Sequence, residues 1–320
     1  MSLRVAVQMD PLEGINIAGD SSFALMLAAQ ARGHSVFHYD VKTLAYDCGR
    51  LTAWAAPVTV QREAGNHFNR DEHRQIDLVS DIDVVLMRQD PPFDLSYITA
   101  THLLERLEGQ TLVVNDPASV RNAPEKVFVL DFAHFMPPTL IARRIEDVRA
   151  FHARYPGDLV MKPLHGNGGK AVIRVPADGS NLGALIELFD NAWIEPHMFQ
   201  PFLPEISEGD KRIVLVDGEI AGAINRRPGP GEFRSNLAQG GYAEATTLSA
   251  REEEICAAMG PELKRRGLVF VGIDVIGGKW LTEINVTSPT GILAIDQFNG
   301  TDTPALIWQA IEARQAGLRG

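Results

Sequence analysis

Through its first 115 residues the chain alternates short apolar runs with helix-like stretches, and this alternation narrows the fold more than any other feature. Leu3 to Met9 alternates as a strand does. Asp20-Ser-Ser22 then offers capping side chains, and Phe23, Leu27 and Ala31 follow at helical spacing until Gly33. Ser35 to Tyr39, Asp83 to Met87 and Thr111 to Asn115 read as further strands, with residues 96–107 helical between the last two. Strands separated by helices predict an open, mostly parallel sheet with helices on its faces. Residues 46–80 break the rhythm. They mix Gly, Pro, Asn, His and charge without a period, and predict an irregular excursion with one short hairpin.

Asn115-Asp-Pro117 marks a chain reversal, and Asn122 and Pro124 are placed to open a helix carrying Lys126. Residues 139–195 read strand, helix, strand, glycine loop, strand, helix. From Met198 onward antiparallel strands dominate, with hairpin turns at Asp217-Gly218 and Gly277-Gly278. Ser249-x-x-Glu252 is a capping box, and a final helix runs from about Pro304 to Ala316. The expected organisation is three units, 1–122, 123–196 and 197–320, in keeping with the length of 320 residues.

The densest chemistry lies in the hairpin Val271 to Asn285. A two-residue turn at Gly277-Gly278 sets Ile276 opposite Lys279 and Asp274 opposite Leu281, so Asp274, Glu283 and Asn285 fall on one face. Two of the three are anionic, and the hairpin's one basic residue, Lys279, sits at its turn. Carboxylates this close repel unless a cation lies between them, and hard oxygen donors suit magnesium or manganese. Isolated acids on a hairpin are usually just solvated, but Gly272 clears space on this face while apolar residues line the other.

Asp158-Leu-Val-Met-Lys162 is a strand ending in a lysine, followed by Pro163-Leu-His-Gly-Asn-Gly-Gly169, whose backbone N–H groups can approach phosphate oxygens. It is neither a Walker loop nor a Rossmann fingerprint. Alone, such a turn is more often a plain hairpin, and Lys126 alone reads as a solvated surface lysine. Met198 to Leu203 reads as a hinge strand or an edge strand tolerating Pro201. Asp210 and Arg212 share a strand face, and Asn225-Arg-Arg227, Arg234-Ser-Asn236 and Gly240-Gly241 gather anion-binding groups nearby, with Glu205, Glu208 and Glu232 as alternative partners for those arginines.

A net charge of -11 repels polyphosphate backbones, which argues against nucleic acid as a partner. Two distant cysteines, Cys48 and Cys256, suggest no disulfide framework and fit a reducing cytoplasm. No apolar run reaches membrane-spanning length, and the chain starts directly on a strand-like run without a leader pattern.

Taken in order, these elements resemble the ATP-grasp superfamily and, within it, the bacterial glutathione synthetase family, over essentially the whole chain. The landmarks are Met9-Asp-Pro11, Asp20-Ser-Ser-Phe23, Met87-Arg-Gln-Asp-Pro-Pro-Phe93, Gly209-Asp-Lys-Arg212, Arg234-x-Asn-Leu-Ala-x-Gly-Gly241 and Leu281-Thr-Glu-Ile-Asn-Val-Thr-Ser-Pro-Thr290. The resemblance implies an N-terminal open sheet domain followed by a two-part ATP-grasp fold. It implies ATP-dependent joining of γ-glutamylcysteine to glycine through an acyl phosphate, with magnesium or manganese, in a homo-oligomer. Lys126 and Lys162 would contact ATP phosphates under a lid of Gly166, Asn167, Gly168 and Gly169. Gln200 and Leu203 would hold adenine, with Asp210 beside the nucleotide, and Asp274, Glu283 and Asn285 would surround the metal. Arg226, Arg234, Asn236, Gly240 and Gly241 would hold the dipeptide, Ser288 to Thr290 would close the substrate end, and Asp20 and Ser21 would touch substrate. Arg212 and Arg226 would stabilise the transferring phosphoryl group and the oxyanion.

Two departures stand out. Pro201 removes a backbone donor from the adenine segment, and Ala18-Gly19 replaces basic residues found in some relatives. Other readings are a different ATP-grasp carboxylate–amine ligase, a nucleotide-binding protein without catalysis and, more remotely, a Rossmann-type oxidoreductase, which the missing fingerprint after the first strand disfavours.

Overall fold

The computed structural model describes residues 2–236 and 240–319. β1 (Arg4–Gln8) leads through α1 (Ser21–Ala31) to β2 (Ser35–Tyr39), parallel to β1. Asp20 caps α1 by accepting the Phe23 N–H at 2.7 Å. The next segment departs from the expected irregular excursion. It forms β3 (Ala45–Asp47), β4 (Arg50–Val60), β5 (Phe68–Arg70) and β6 (Arg74–Asp77), and β4 pairs antiparallel with the other three and with β2. The period was hidden because buried positions of β4 are filled by Ala53, Ala55 and Ala56, which carry little hydrophobic signal, and Pro57 interrupts the run.

β7 (Val84–Met87), α2 (Leu95–Leu104), β8 (Leu112–Val114) and α3 (Pro117–Arg121) complete this part. The sheet order is β3-β4-β2-β1-β7-β8, with β2, β1, β7 and β8 parallel. Winding reverses beside β1, so a crevice opens at the carboxyl ends of β1 and β7, near Asp10 and Asp90.

The helix expected from Asn122 does not form. Residues 125–127 make a turn, and a 3-10 run from Phe128 to Phe135 buries Phe128, Val129, Phe132 and Phe135. Beyond it come β9 (Leu140–Ala142), α4 (Ile145–Arg154), β10 (Leu159–Pro163), β11 (Ile173–Val175) and α5 (Leu182–Ala192), in the order the sequence predicts. β12 (His197–Pro201) then inserts between β10 and β9, so backbone hydrogen bonds cross the expected 196/197 division. β12 is an interior strand rather than an edge. Pro201 is tolerated because β9 pairs only with His197 to Phe199.

The last part holds β13 (Asp210–Val216), β14 (Glu219–Arg227), β15 (Tyr242–Ala245), α6 (Ala250–Arg265), β16 (Phe270–Ile276), β17 (Trp280–Asn285), α7 (Ile292–Asn299) and α8 (Thr303–Arg319). Its sheet is antiparallel in the order β15-β14-β13-β16-β17. Asp217 and Gly218 both have positive φ, 51° and 87°, as a tight hairpin turn requires. The capping box at Ser249 forms as expected. α8 returns to the first part, where the Trp308 indole donates to the Leu25 carbonyl at 2.9 Å. Asn115 stitches the two sheets: its amide donates to the carbonyls of Phe270 (2.7 Å) and Val286 (2.8 Å) and accepts the Phe270 N–H. Among the described residues no helix is long and apolar enough to cross a membrane.

Candidate active site

The β16–β17 hairpin forms, but its register differs from the expected one. Ile276 pairs with Trp280 and Val275 with Leu281, whereas Asp274 pairs with Glu283 and Gly272 with Asn285. Thr282 is the extra residue of a bulge, and its hydroxyl donates to the Asp274 carbonyl at 3.1 Å. The bulge sends Leu281 to the apolar side with Val275. Asp274, Glu283 and Asn285 therefore still share a face.

Asp274 is also held by two arginines. Its carboxylate accepts from Arg212 Nε and Nη2 at 2.6 and 2.9 Å and lies 3.0 Å from Arg226 Nη2. Arg226 also binds Asp210 through two hydrogen bonds of 2.8 and 2.6 Å. Register makes this network: Arg212 stands opposite Asp274 on β16, and Arg226 opposite Asp210 on β13. All four residues are buried. Burial pushes Asp274 up, but the two guanidiniums more than offset it and hold the carboxyl far below the ordinary range. For Asp210 burial wins over Arg226, and the pKa is raised. Gly272 serves this network, since a Cβ there would stand 3.2 Å from Arg212 Cδ.

Lys126 is no solvated surface lysine. It is buried in the 125–127 turn, where Nζ donates to the Gly166 carbonyl at 2.6 Å and lies 3.5 Å from Glu283 and 3.6 Å from Glu125. Lys162, next to last in β10, brings its Nζ to 4.0 Å from Glu283. Burial lowers Lys126 but Glu283 and Glu125 raise it further, so it stays charged; burial of Lys162 wins and brings it to about 8. Glu125, which the sequence did not single out, is pushed up to about 7 by burial, with Lys126 opposing and Glu283 adding to the rise. Its place directly before Lys126 was the one available signal.

The donor set can be tested against a divalent cation. Glu283 lines the first cleft and Asn285 the adjoining cavity, where both offer hard oxygens. These residues fit such an ion. Asp274, with both oxygens accepting from arginine, stands beside this pair as an arginine anchor.

Between the four- and five-stranded sheets lies a cleft with apolar walls, among them Val160, Phe202, Leu203 and Ile276, that ends in Lys162 and Glu283. Gln200 lines it, with its amide donating to Thr139 Oγ1 at 2.9 Å. A second cavity continues past the glycine loop, walled by Arg212, Arg226, Asn236, Asn285, Ser288 and Thr290. Asp210 touches the first cleft, Asn167 and Gly168 the second. Arg234 pairs with Glu232 at 2.6 Å and donates to the Gly169 carbonyl at 3.2 Å. A Cβ on Gly169 would stand 2.3 Å from Asn236 Oδ1, so the two loops touch.

Of the two glycines expected as open donors, Gly241 is engaged. The Gly241 N–H goes to the Asn236 carbonyl, and a Cβ there would meet the Ser235 carbonyl at 2.2 Å. Leu237 and Ala238 of that landmark lie outside the described residues. Asp20 is occupied in capping α1 and lines a separate recess that shares Thr290 with the cavity. Ser21 is buried and its hydroxyl has no partner among the described residues. Arg88, quoted only within a landmark, is buried as well; it donates to Ser22 Oγ at 3.0 Å and the Pro289 carbonyl at 2.8 Å, tying the first sheet to the substrate end.

Two sheets enclosing a lysine-lined cleft beside an acid–amide hairpin define an ATP-grasp enzyme. Solved structures agree in fold: D-cycloserine synthetase DcsG matches with a TM-score of 0.68 at 16% identity, over 97% of this chain and 99% of that one. The ATP-grasp ligase PsnB matches with a TM-score of 0.63 at 20% identity, over 98% and 99%. Residues 3–121 match the prokaryotic glutathione synthetase N-terminal domain, and residues 125–300 the ATP-grasp domain of the same family. The glutathione synthetase of Rhodopseudomonas palustris is 56% identical over 316 residues, 99% of this chain and all of that protein; that of Bradyrhizobium diazoefficiens is 54% identical over the same spans. The chain belongs to the prokaryotic glutathione synthetase family.

Proposed function

We propose that the chain joins γ-glutamylcysteine to glycine, converting ATP to ADP and phosphate. Family membership across both domains carries the reading, and the site supports it: in a chain of net charge -11, buried Lys162 lines the cleft, buried Arg212 and Arg226 line the adjoining cavity, and buried Lys126 stands 3.5 Å from Glu283. The apolar cleft takes the adenine and directs the triphosphate toward Lys162 and Lys126. The cysteinyl carboxylate attacks the γ-phosphorus, ADP leaves, and an acyl phosphate results. Glycine's amine then adds to the acyl carbon; phosphate departs and the amine loses a proton. Arg212 and Arg226, fixed by Asp274 and Asp210, hold guanidinium groups at the cavity wall without needing to reorganise as charge develops. A magnesium or manganese ion on Glu283 and Asn285 supplies Lewis-acid neutralisation of phosphate charge when bound.

The 1–122, 123–196 and 197–320 division assigns substrate, lid and catalytic roles in turn. Family likeness also suggests a homo-oligomer working in the cytoplasm.

Incubation with ATP, magnesium, γ-glutamylcysteine and glycine should give the tripeptide and phosphate in equal amounts. Phosphate release with a different acid and amine, and none with this pair, would point to another ATP-grasp ligase. Tight ATP binding with no product from any amine would leave only a nucleotide-binding role.

A further inference from the structure

The glycine loop between β10 and β11 is held from three sides. Lys126 binds the Gly166 carbonyl and Arg234 the Gly169 carbonyl, and both cations belong to the proposed ligand set. The third contact is different. The His165 ring stacks on Phe93 with centroids 5.9 Å apart and planes inclined by 21°. Phe93 in turn packs on Tyr97 of α2 at 5.2 Å, and Tyr97 is fully buried. One end of this contact is therefore anchored in the N-terminal sheet unit, and the other lies one residue before the loop's first glycine. Neither ring carries charge for ATP: burial lowers the His165 pKa, Lys126 adds to this, Glu195 opposes, and the imidazole stays neutral.

The loop itself has little hold of its own. Asn167 and Lys170 are exposed, and Gly168, Gly169 and Ala171 all have positive φ, so local backbone preference does not fix it. Its position depends on those outside contacts. Two of them are made by cations of the proposed ligand set, whereas the ring stack lies outside that set and is free to persist through the reaction.

We propose that the Phe93–His165 stack is a latch that keeps the glycine loop closed over the acyl phosphate and thereby ties ATP cleavage to peptide formation. The proposal rests on the reaction proposed above. With the loop lifted, water adds to the acyl carbon in place of the amine. The carboxylate is regenerated, phosphate leaves, and ATP is consumed with no new peptide bond. Phe93 and His165 are positioning residues, since they act through the loop and touch no reacting atom.

The test combines two readouts on Phe93→Ala, His165→Ala, the double variant, His165→Phe and Leu95→Ala. The first is the rate of trypsin cleavage after Lys170, followed by mass in the free protein. The second is the ratio of phosphate to tripeptide at saturating substrates. An aromatic pair of this kind predicts roughly 2- to 10-fold faster cleavage in each single alanine variant. The phosphate ratio should rise with it, and the double variant should be no worse than the singles. His165→Phe keeps a ring and should behave as the parent does, as should Leu95→Ala, a residue that is 81% exposed. Unchanged cleavage and ratio in both single variants, or effects that multiply in the double variant, would overturn the latch. Should Phe93→Ala fail to fold, His165→Ala on its exposed loop decides the question. If the parent itself makes no tripeptide, the reaction is at fault, and the cleavage rates still judge the latch.

Discussion

Replacing Asp274 with asparagine measures how far its carboxylate is committed to the arginines. If Asp274 faced Glu283 without a counter-charge, the metal-free protein would gain stability from Asp274→Asn, because a like-charge contact would be relieved. The geometry says the reverse. Among the described residues Asp274 is the only carboxylate bound to Arg212, through hydrogen bonds of 2.6 and 2.9 Å, while Arg226 retains Asp210. The substitution leaves one buried guanidinium without a counter-charge, for which about 3–5 kcal/mol is the usual cost. The asparagine oxygen keeps one acceptor, so the loss should fall near the lower end, about 3 kcal/mol. Urea unfolding in chelator-containing buffer measures it without the ionic screening that guanidinium chloride adds.

The sign with pH follows from the depressed carboxyl. Its stabilisation is fully present above the unfolded value of about 3.9 and is lost as pH falls through the still lower folded value. The deficit of Asp274→Asn should therefore be constant from pH 5 to 8 and shrink only below about pH 4. Unchanged or increased stability at pH 7 would refute the arginine-anchor assignment.

Glu283→Ala should abolish ligation while the circular dichroism spectrum and unfolding midpoint stay close to the parent's; retained ATP-dependent tripeptide formation would remove Glu283 from the metal site. Lys162, brought to about 8 by burial, binds more protons unfolded than folded between pH 8 and about 10.4, so its contribution to stability rises with pH across that window. Nucleotide binding moves the opposite way, weakening by up to roughly tenfold per unit above pH 8, and titration calorimetry should find this slope flattened in Lys162→Arg, which keeps its charge. Burial pushes the Cys256 thiol up to about 12 while Cys48 is exposed, so iodoacetamide at pH 8 should add one label per native chain, at Cys48; two labels would contradict the packing under α6.

Local signals in the sequence were enough to place most elements. Asp20 and Ser249 cap the helices they were expected to cap, and the Asp217-Gly218 turn is where the glycine demanded it, because caps and turns depend on neighbours within four residues. Side-chain period likewise put Asp274, Glu283 and Asn285 on one face, even though Thr282 bulges out and moves Leu281 to the other. Segment 45–77 escaped notice because alanines on β4 bury little surface and so leave almost no period.

What tertiary structure alone decided is which charges meet. Arg212 and Asp274 are 62 residues apart, and Lys126 lies 40 residues from Gly166; strand register and loop return bring them together. Burial then sets their chemistry, making an anchor of Asp274, a low-pKa lysine of Lys162 and a site residue of Glu125. The linear sequence could name the charged groups and the family they belong to. It could not say how those charges cancel, because pairing and desolvation depend on distances that exist only in the folded chain.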